Sequence, residues 1–201
     1  MTGENPMEPT AAGYPVLMVR DHLDHLPAWA FPEGFGMRPI QPGEEAVWID
    51  IQRDAEPYFD TADDLYNREF GYDPEAAWER VFFVTDPNGN AVGTMGAWYN
   101  RAFRGGDYGR IHWVSTRRAF QGLGLAKASL AGALRVLARN HPKAYLATQT
   151  KRLPAIAIYL DAGFLPDIAS ETDRIAWAQT APTMRSPGQR DRIAAALKAA
   201  L

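Results

Sequence analysis

The chain has no cysteine. That absence excludes disulfides, thiolate-held metal centres and any covalent cysteine intermediate, and it permits a cytoplasmic setting. Long apolar runs are missing too: nothing approaches the roughly 20 residues needed to span a bilayer. The amino-terminal stretch lacks the basic, apolar and small-residue order of a secretory signal, so neither membrane insertion nor export is expected. Strong charge of one sign is also absent. With 21 Lys and Arg against 24 Asp and Glu, the net charge is −3, which argues against nucleic acid as the main partner. No metal is expected. What remains is a chain of 201 residues, 46% hydrophobic, long enough for one well-filled α/β domain.

Two familiar phosphate motifs are missing as well. No Gly-x-x-x-x-Gly-Lys run followed by Ser or Thr occurs, and Gly122-Leu-Gly124-Leu-Ala126-Lys127 fails the dinucleotide fingerprint because lysine stands at its sixth position, where the third glycine belongs. Yet His112 to Ala126 reads as an apolar strand, a glycine-punctuated turn and the start of a long helix. Such a turn aims several backbone N–H groups at one spot, at the positive end of a helix dipole, and makes a phosphate cradle out of main chain. A Cβ at Gly122 or Gly124 would hold a ligand's oxygens off those amides. The same residues also describe an ordinary strand-to-helix loop, and locally both readings stand.

Along the chain, residues 1–13 read as a disordered tail rich in Pro, Gly, Thr and Glu. Tyr14 to Arg20 reads as an edge strand and Met37 to Ile40 as a first core strand. A helix then carries Val47, Trp48 and Ile51, and Asp73-Pro74-Glu75 starts another. Val81 to Thr85, the turn Asp86-Pro-Asn-Gly89 and Ala91 to Tyr99 form a hairpin signature, and Gly109 to Thr116 supplies the strand before the glycine turn. Leu125 to Arg139 is a helix with Leu130, Leu134 and Leu137 on one face. Ala144 to Thr150 is a strand, and a short helix from Pro154 ends at Tyr159-Leu-Asp-Ala-Gly163-Phe164, where Gly163 suits a left-handed stop. Beyond Pro166 a closing strand is expected, but Glu171 to Ala181 reads as helix. A last helix, from Ser186-Pro187 to Leu201, carries Ile193, Leu197 and Leu201 on a stripe. That stripe fits packing on its own domain, with a homodimer contact as the alternative.

The pattern Gln/Arg-x-x-Gly-x-Gly/Ala, filled by Gln121, Gly124 and Ala126, resembles motif A of the GNAT superfamily of N-acetyltransferases. Tyr159-x-x-x-Gly163-Phe164 resembles its motif B, in the right order and one helix away. Leu26-Pro27, Pro32-Glu33-Gly34, Arg38-Pro39, the His112-Trp-Val strand and the Tyr159 to Pro166 ending are similar to a bacterial branch with an added amino-terminal strand. The resemblance implies the GNAT fold: an α/β structure with a mixed, mostly antiparallel sheet, splayed at the cofactor site, and helices on both faces. It implies one acetyltransferase domain over residues 14–185 and a carboxy-terminal helix over 186–201. Two positions depart from the pattern. Arg152 stands where many members have an asparagine that helps hold the pantetheine arm, and Arg118 replaces a proline common before the cradle.

The implied chemistry is transfer of acetyl from acetyl-CoA to a primary amine by direct attack in a ternary complex, with a small-molecule or peptide acceptor. The backbone of Gly122, Leu123, Gly124, Leu125, Ala126 and Lys127, with Gln121, would hold the pyrophosphate. Val114, Ser115 and Thr116 would pair with the pantetheine, given a bulge or splay in the sheet. Tyr159 is the expected proton donor to the departing thiolate; a plain core aromatic is its other reading. His112, nine residues before Gln121, lies at an offset similar to that of a catalytic histidine in arylalkylamine acetyltransferases. Its imidazole is the expected base, the alternative being a strand histidine that merely hydrogen-bonds a neighbour. Arg110, on the same face, is too basic for that task and is expected to bind an acidic substrate group. Tyr58, Trp98 and Tyr99 are expected acceptor-pocket walls. The acidic cluster Asp54, Glu56, Asp60, Asp63 and Asp64 either attracts a cationic amine or is a solvated face. Two competing functions remain open: a non-catalytic acyl-CoA-binding sensor or scaffold, and a plain nucleotide-binding βα protein.

Overall fold

The computed structural model describes residues 9–200. Strands β1 (Pro15–Arg20) and β2 (Gly36–Pro39) precede helices α1 (Glu45–Ala55), α2 (Leu65–Phe70) and α3 (Pro74–Arg80). Strands β3 (Val81–Thr85), β4 (Ala91–Phe103) and β5 (Gly106–Thr116) follow, then α4 (Leu125–Leu137) and β6 (Ala144–Gln149). The chain ends in α5 (Leu153–Asp161), β7 (Leu165–Asp167), α6 (Glu171–Thr180) and α7 (Pro187–Ala199). Two compact units result, one of His22–Ala144 and one built from the described residues up to Asp21 and from Tyr145 onward. No helix among the described residues is long and apolar enough to cross a membrane.

In the His22–Ala144 unit the strands lie in the order β2-β3-β4-β5, each antiparallel to its neighbour. The twofold alternation of β3 splits its side chains between two helix layers. Val81 and Phe83 join Trp48, Ile51, Phe70 and Trp98 beneath α1 and α2, whereas Val84 packs with Val92 and Leu125 at the start of α4. Trp48 is the hub of the first layer, meeting Tyr66, Phe70 and Trp113 edge-on at 5.4, 5.6 and 5.5 Å. On α4 the expected face is buried at Leu130, Leu134 and Leu137. Asp73 caps α3 as read, its carboxylate accepting from Ala76 N–H at 3.1 Å, with Pro74 in the first turn. The strand-and-helix order expected from sequence lacked α2. That helix has six residues, no side-chain cap bond from Asp64, and an irregular apolar spacing of Leu65, Tyr66 and Phe70, so it shows no 3.6-residue period.

In the other unit the order is β6-β1-β7. β1 is therefore no edge strand, correcting the sequence reading: it buries Val16, Met18 and Arg20 on alternate positions and takes β7 antiparallel, with Met18 opposite Pro166. Arg20 is 5% exposed, and its guanidinium donates to the Ala162 carbonyl. The closing strand exists after all, shortened to three residues. α6 follows at once because Ser170 and Asp173 form a reciprocal capping box. α5 ends at Gly163, φ +86, with Gly163 N–H bonded to Leu160 and Phe164 N–H to Tyr159, the doubly bonded left-handed stop its sequence calls for. α7 begins with Pro187 as read, but the Ser186 hydroxyl makes no cap bond. Ile193 of the α7 stripe is buried; Leu201 lies outside the described residues. Residues 1–8 of the expected tail are likewise outside them, while Thr10 and Gly13 close a turn beside Thr150 and Lys151.

Candidate active site

The glycine turn lies between β5 and α4, as its sequence requires. Gly122 and Gly124 both have φ +81, a backbone that L side chains rarely adopt, and a Cβ built on either meets nothing within 4 Å. The Cβ is therefore excluded by conformation and not by crowding, and the space in front of both residues is open. Among the described residues, no hydrogen bond within the chain takes the N–H groups of Gly122, Leu123, Gly124, Leu125 or Ala126; the first such donor in α4 is Ala128, bonded to Gly124. Left-handed glycines alternating along a turn swing such amides to one side and form an anion-binding concavity. Gln121 holds the turn from behind, its amide donating to Thr116 O at 3.0 Å. Lys127 sits over the Trp29 ring at 5.2 Å.

The strand before the turn is bulged. Thr94 pairs with Ser115 and Gly96 with His112, so Met95 alone faces both Trp113 and Val114, and Trp113 has φ +47. A bulge leaves a ladder carbonyl without its partner. Here a buried polar chain from α1 replaces it. Thr94 Oγ1 donates to Trp113 O at 2.7 Å, Gln52 Nε2 donates to Thr94 Oγ1 at 2.8 Å, and Ser115 Oγ donates to Gln52 Oε1 at 2.5 Å. Gln52 and Thr94 are 2% and 1% exposed. The bulge is thus built into the core, and it separates His112 from the Val114–Thr116 stretch.

His112 faces the α1–α2 layer with its ring in a T-shaped contact to Phe70 at 5.6 Å. Its Nε2 is 2.9 Å from Oε2 of Glu69, on the last turn of α2. Burial dominates the ring's protonation and pushes its pKa down to about 4; Glu69 opposes that shift and the Arg110 charge adds to it. Glu69 is held down to about 2, chiefly by the hydrogen bond from His112, with Trp113 and Arg110 contributing. At neutral pH the pair is therefore a neutral imidazole beside a carboxylate. Sequence reasoning missed Glu69. It lies 43 positions from His112 on the overlooked helix, and no local pattern marks it.

Tyr159, in the other unit, is 7% exposed, and burial raises its phenol to about 12. Its ring meets Phe164 at 6.2 Å, and no hydrogen bond of its hydroxyl occurs among the described residues. Of the expected pocket walls, Tyr99 and Tyr58 are half-buried. Trp98 is a core residue at 1% exposure: it stacks on Tyr99 at 5.1 Å and donates from Nε1 to the Tyr72 hydroxyl at 2.6 Å. That burial leaves Trp98 no surface with which to line a pocket, correcting the sequence reading of it as a wall. Tyr99 in turn donates to Asp73 Oδ2 at 2.5 Å. Arg110 lies opposite Trp98 on the face shared with His112, and its charge reaches both His112 and Glu69. The acidic cluster is partly used within the chain. Asp54 accepts from Arg118 N–H at 2.7 Å, Asp63 pairs with Arg53, and Asp64 lies 3.7 Å from Arg68.

Residues 46–164 match the sequence model of the acetyltransferase (GNAT) family. No curated protein matches the chain. Among solved structures, a GCN5-related N-acetyltransferase from Sphaerobacter thermophilus aligns with a TM-score of 0.58 and 24% identity, over 76% of this chain and 48% of that one. An acetyltransferase of the GNAT family from Colwellia psychrerythraea gives 0.60 and 12%, over 76% and 52%. A GCN5-related N-acetyltransferase from Kribbella flavida gives 0.51 and 18%, over 76% and 54%. The likeness is one of fold, and the chain spans about half the length of these structures.

Proposed function

The chain belongs to the GNAT family of acetyltransferases, and on that premise we propose that it moves an acetyl group from acetyl-CoA to a primary amine by direct attack. The observation that carries the reading is the open run of N–H groups from Gly122 to Ala126, held by two left-handed glycines at the start of α4. Uncommitted amides at a helix N-terminus suit a pyrophosphate. When bound, acetyl-CoA supplies the acetyl group as an activated thioester. Val114 to Thr116, beyond the bulge, are assigned to the pantetheine, and Gln121 and Lys127 to the rim of the cradle.

The amine nitrogen forms the new C–N bond, the C–S bond breaks with its electron pair staying on sulfur, and one amine proton must leave. We assign that proton to His112, whose ring is already uncharged at neutral pH. Tyr159 is assigned the sulfur. A phenol raised to about 12 keeps its proton against a thiolate of ordinary pKa near 8.5, so its contribution is a hydrogen bond to the growing charge and not outright transfer. Tyr58 and Tyr99 are assigned to the acceptor wall and Arg110 to an acidic group on the acceptor.

The test is a thiol-release assay with acetyl-CoA and a panel of amines (amino sugars, polyamines, amino acids and peptides), with acetyl-CoA binding measured separately by calorimetry. Release that depends on the amine is expected. Binding without release for every amine would instead favour an acyl-CoA-binding scaffold. Thermal stabilisation by ATP or NAD and none by acetyl-CoA would overturn the reading.

A further inference from the structure

We propose that Glu69 is a positioning residue for the transfer: it fixes His112 with the lone pair on Nδ1 and then stabilises the positive charge the ring acquires. The inference rests on His112 being the proton acceptor. Its geometric basis is the 2.9 Å contact between Nε2 and Glu69 Oε2. An ionised carboxylate can only accept a hydrogen bond, so the hydrogen sits on Nε2 and the acceptor site on Nδ1. Phe70 and Trp113 flank the ring at 5.6 and 5.8 Å, so His112 is packed in this orientation.

Two charged groups face the imidazole, and they oppose each other. Glu69 approaches from α2, and Arg110 from β5 disfavours the imidazolium, as burial does. Glu69 is therefore the group that lets a buried histidine accept a proton at all. When the amine's proton arrives at Nδ1, the Nε2 hydrogen stays where it is, and an imidazolium–carboxylate pair replaces a neutral ring beside an isolated carboxylate. Attraction between the two charges is stronger in this buried setting than in water. The proton later leaves from Nδ1 to solvent, which restores the resting pair. Glu69 does not itself take the amine's proton, because the hydrogen bond from His112 holds its carboxyl near 2.

The experiment reads the tautomer directly, by nitrogen-15 correlation spectra of the imidazoles at neutral pH. The chain has four histidines, and the His112 signals are identified by their loss in His112→Gln. The expected result is the Nε2–H form in the unmodified protein. In Glu69→Gln, whose amide can turn its NH2 toward the ring, the preference for that form should weaken. The same variant should lose roughly tenfold or more in kcat, with KM for acetyl-CoA unchanged; Glu69→Asp should recover part of the kcat. An Nδ1–H tautomer in the unmodified protein, or unchanged tautomer and kcat in Glu69→Gln, would overturn the proposal. Absence of transfer to every amine would instead remove the proposed function, while the spectrum of the unmodified protein still decides the tautomer.

Discussion

A base that is buried and uncharged is ready at neutral pH, yet it is a weak one. His112 lies 8% exposed, with its pKa pushed down to about 4. His112→Ala is expected to slow amine-dependent thiol release by roughly 10²-fold or more at neutral pH. It should also remove the loss of kcat/KM expected in the unmodified protein as pH falls toward 4. Protonation of the amine itself affects both proteins alike, so the difference between their profiles isolates the ring; identical profiles would take His112 out of the chemistry. Tyr159→Phe tests the other end. Its phenol is buried and raised to about 12, so deleting the oxygen should lower turnover and leave acetyl-CoA affinity close to normal. A large loss of affinity with turnover intact would mean that the ring serves packing against Phe164.

At the scale of elements, the bulge in the strand before the glycine turn is tied to α1 through Gln52. Gln52→Leu removes the amide that bonds both Thr94 and Ser115; Thr94 keeps its bond to Trp113 O, while the Ser115 hydroxyl loses its acceptor, at a cost of at most about 1–3 kcal/mol. If the bulge sets the Val114–Thr116 stretch for the cofactor arm, that variant should raise KM for acetyl-CoA more than it lowers kcat, as read from steady-state kinetics. The elements punctuated by local chemistry were legible in the sequence: the glycine turn, the Asp73-Pro74 start, the Gly163 stop and the leucine face of α4 all read correctly. What escaped was fixed by distant partners. α2 is too short to show a period, β7 pairs over three residues with a strand from the other end of the chain, and the bulge is a matter of cross-strand register. The site split in the same way. The left-handed turn was legible because its glycines carry the geometry, whereas the contact of Glu69 with His112 arises only when α2 packs beside β5.

For the whole molecule, the proposed base His112, Glu69 beside it and the amide turn all belong to the His22–Ala144 unit, while Tyr159 belongs to the other. The acid stability of the first unit should therefore carry the signature of the candidate site. An unfolded histidine binds a proton below about 6.5, whereas folded His112 resists until about 4. Between those values the unfolded state holds more protons, so stability falls as pH drops, by up to about 3 kcal/mol for this group. Glu69 acts in the same direction at lower pH. Its ionised form is favoured by folding, so its contribution is present above the unfolded value near 4.3 and is lost as pH falls toward about 2. His141, also lowered by burial, adds a slope of the same sign in any variant that keeps it. Denaturant unfolding between pH 7 and pH 4 should show the decline, and His112→Gln should flatten it relative to the unmodified protein while His141 keeps a residue of slope. An equal slope in both would mean that the imidazole beside Glu69 is as easily protonated in the folded chain as in the unfolded one. That result would put the ring near its ordinary pKa of about 6.5, still mostly uncharged at neutral pH, and would remove the weakened, buried base in favour of a stronger and more exposed one.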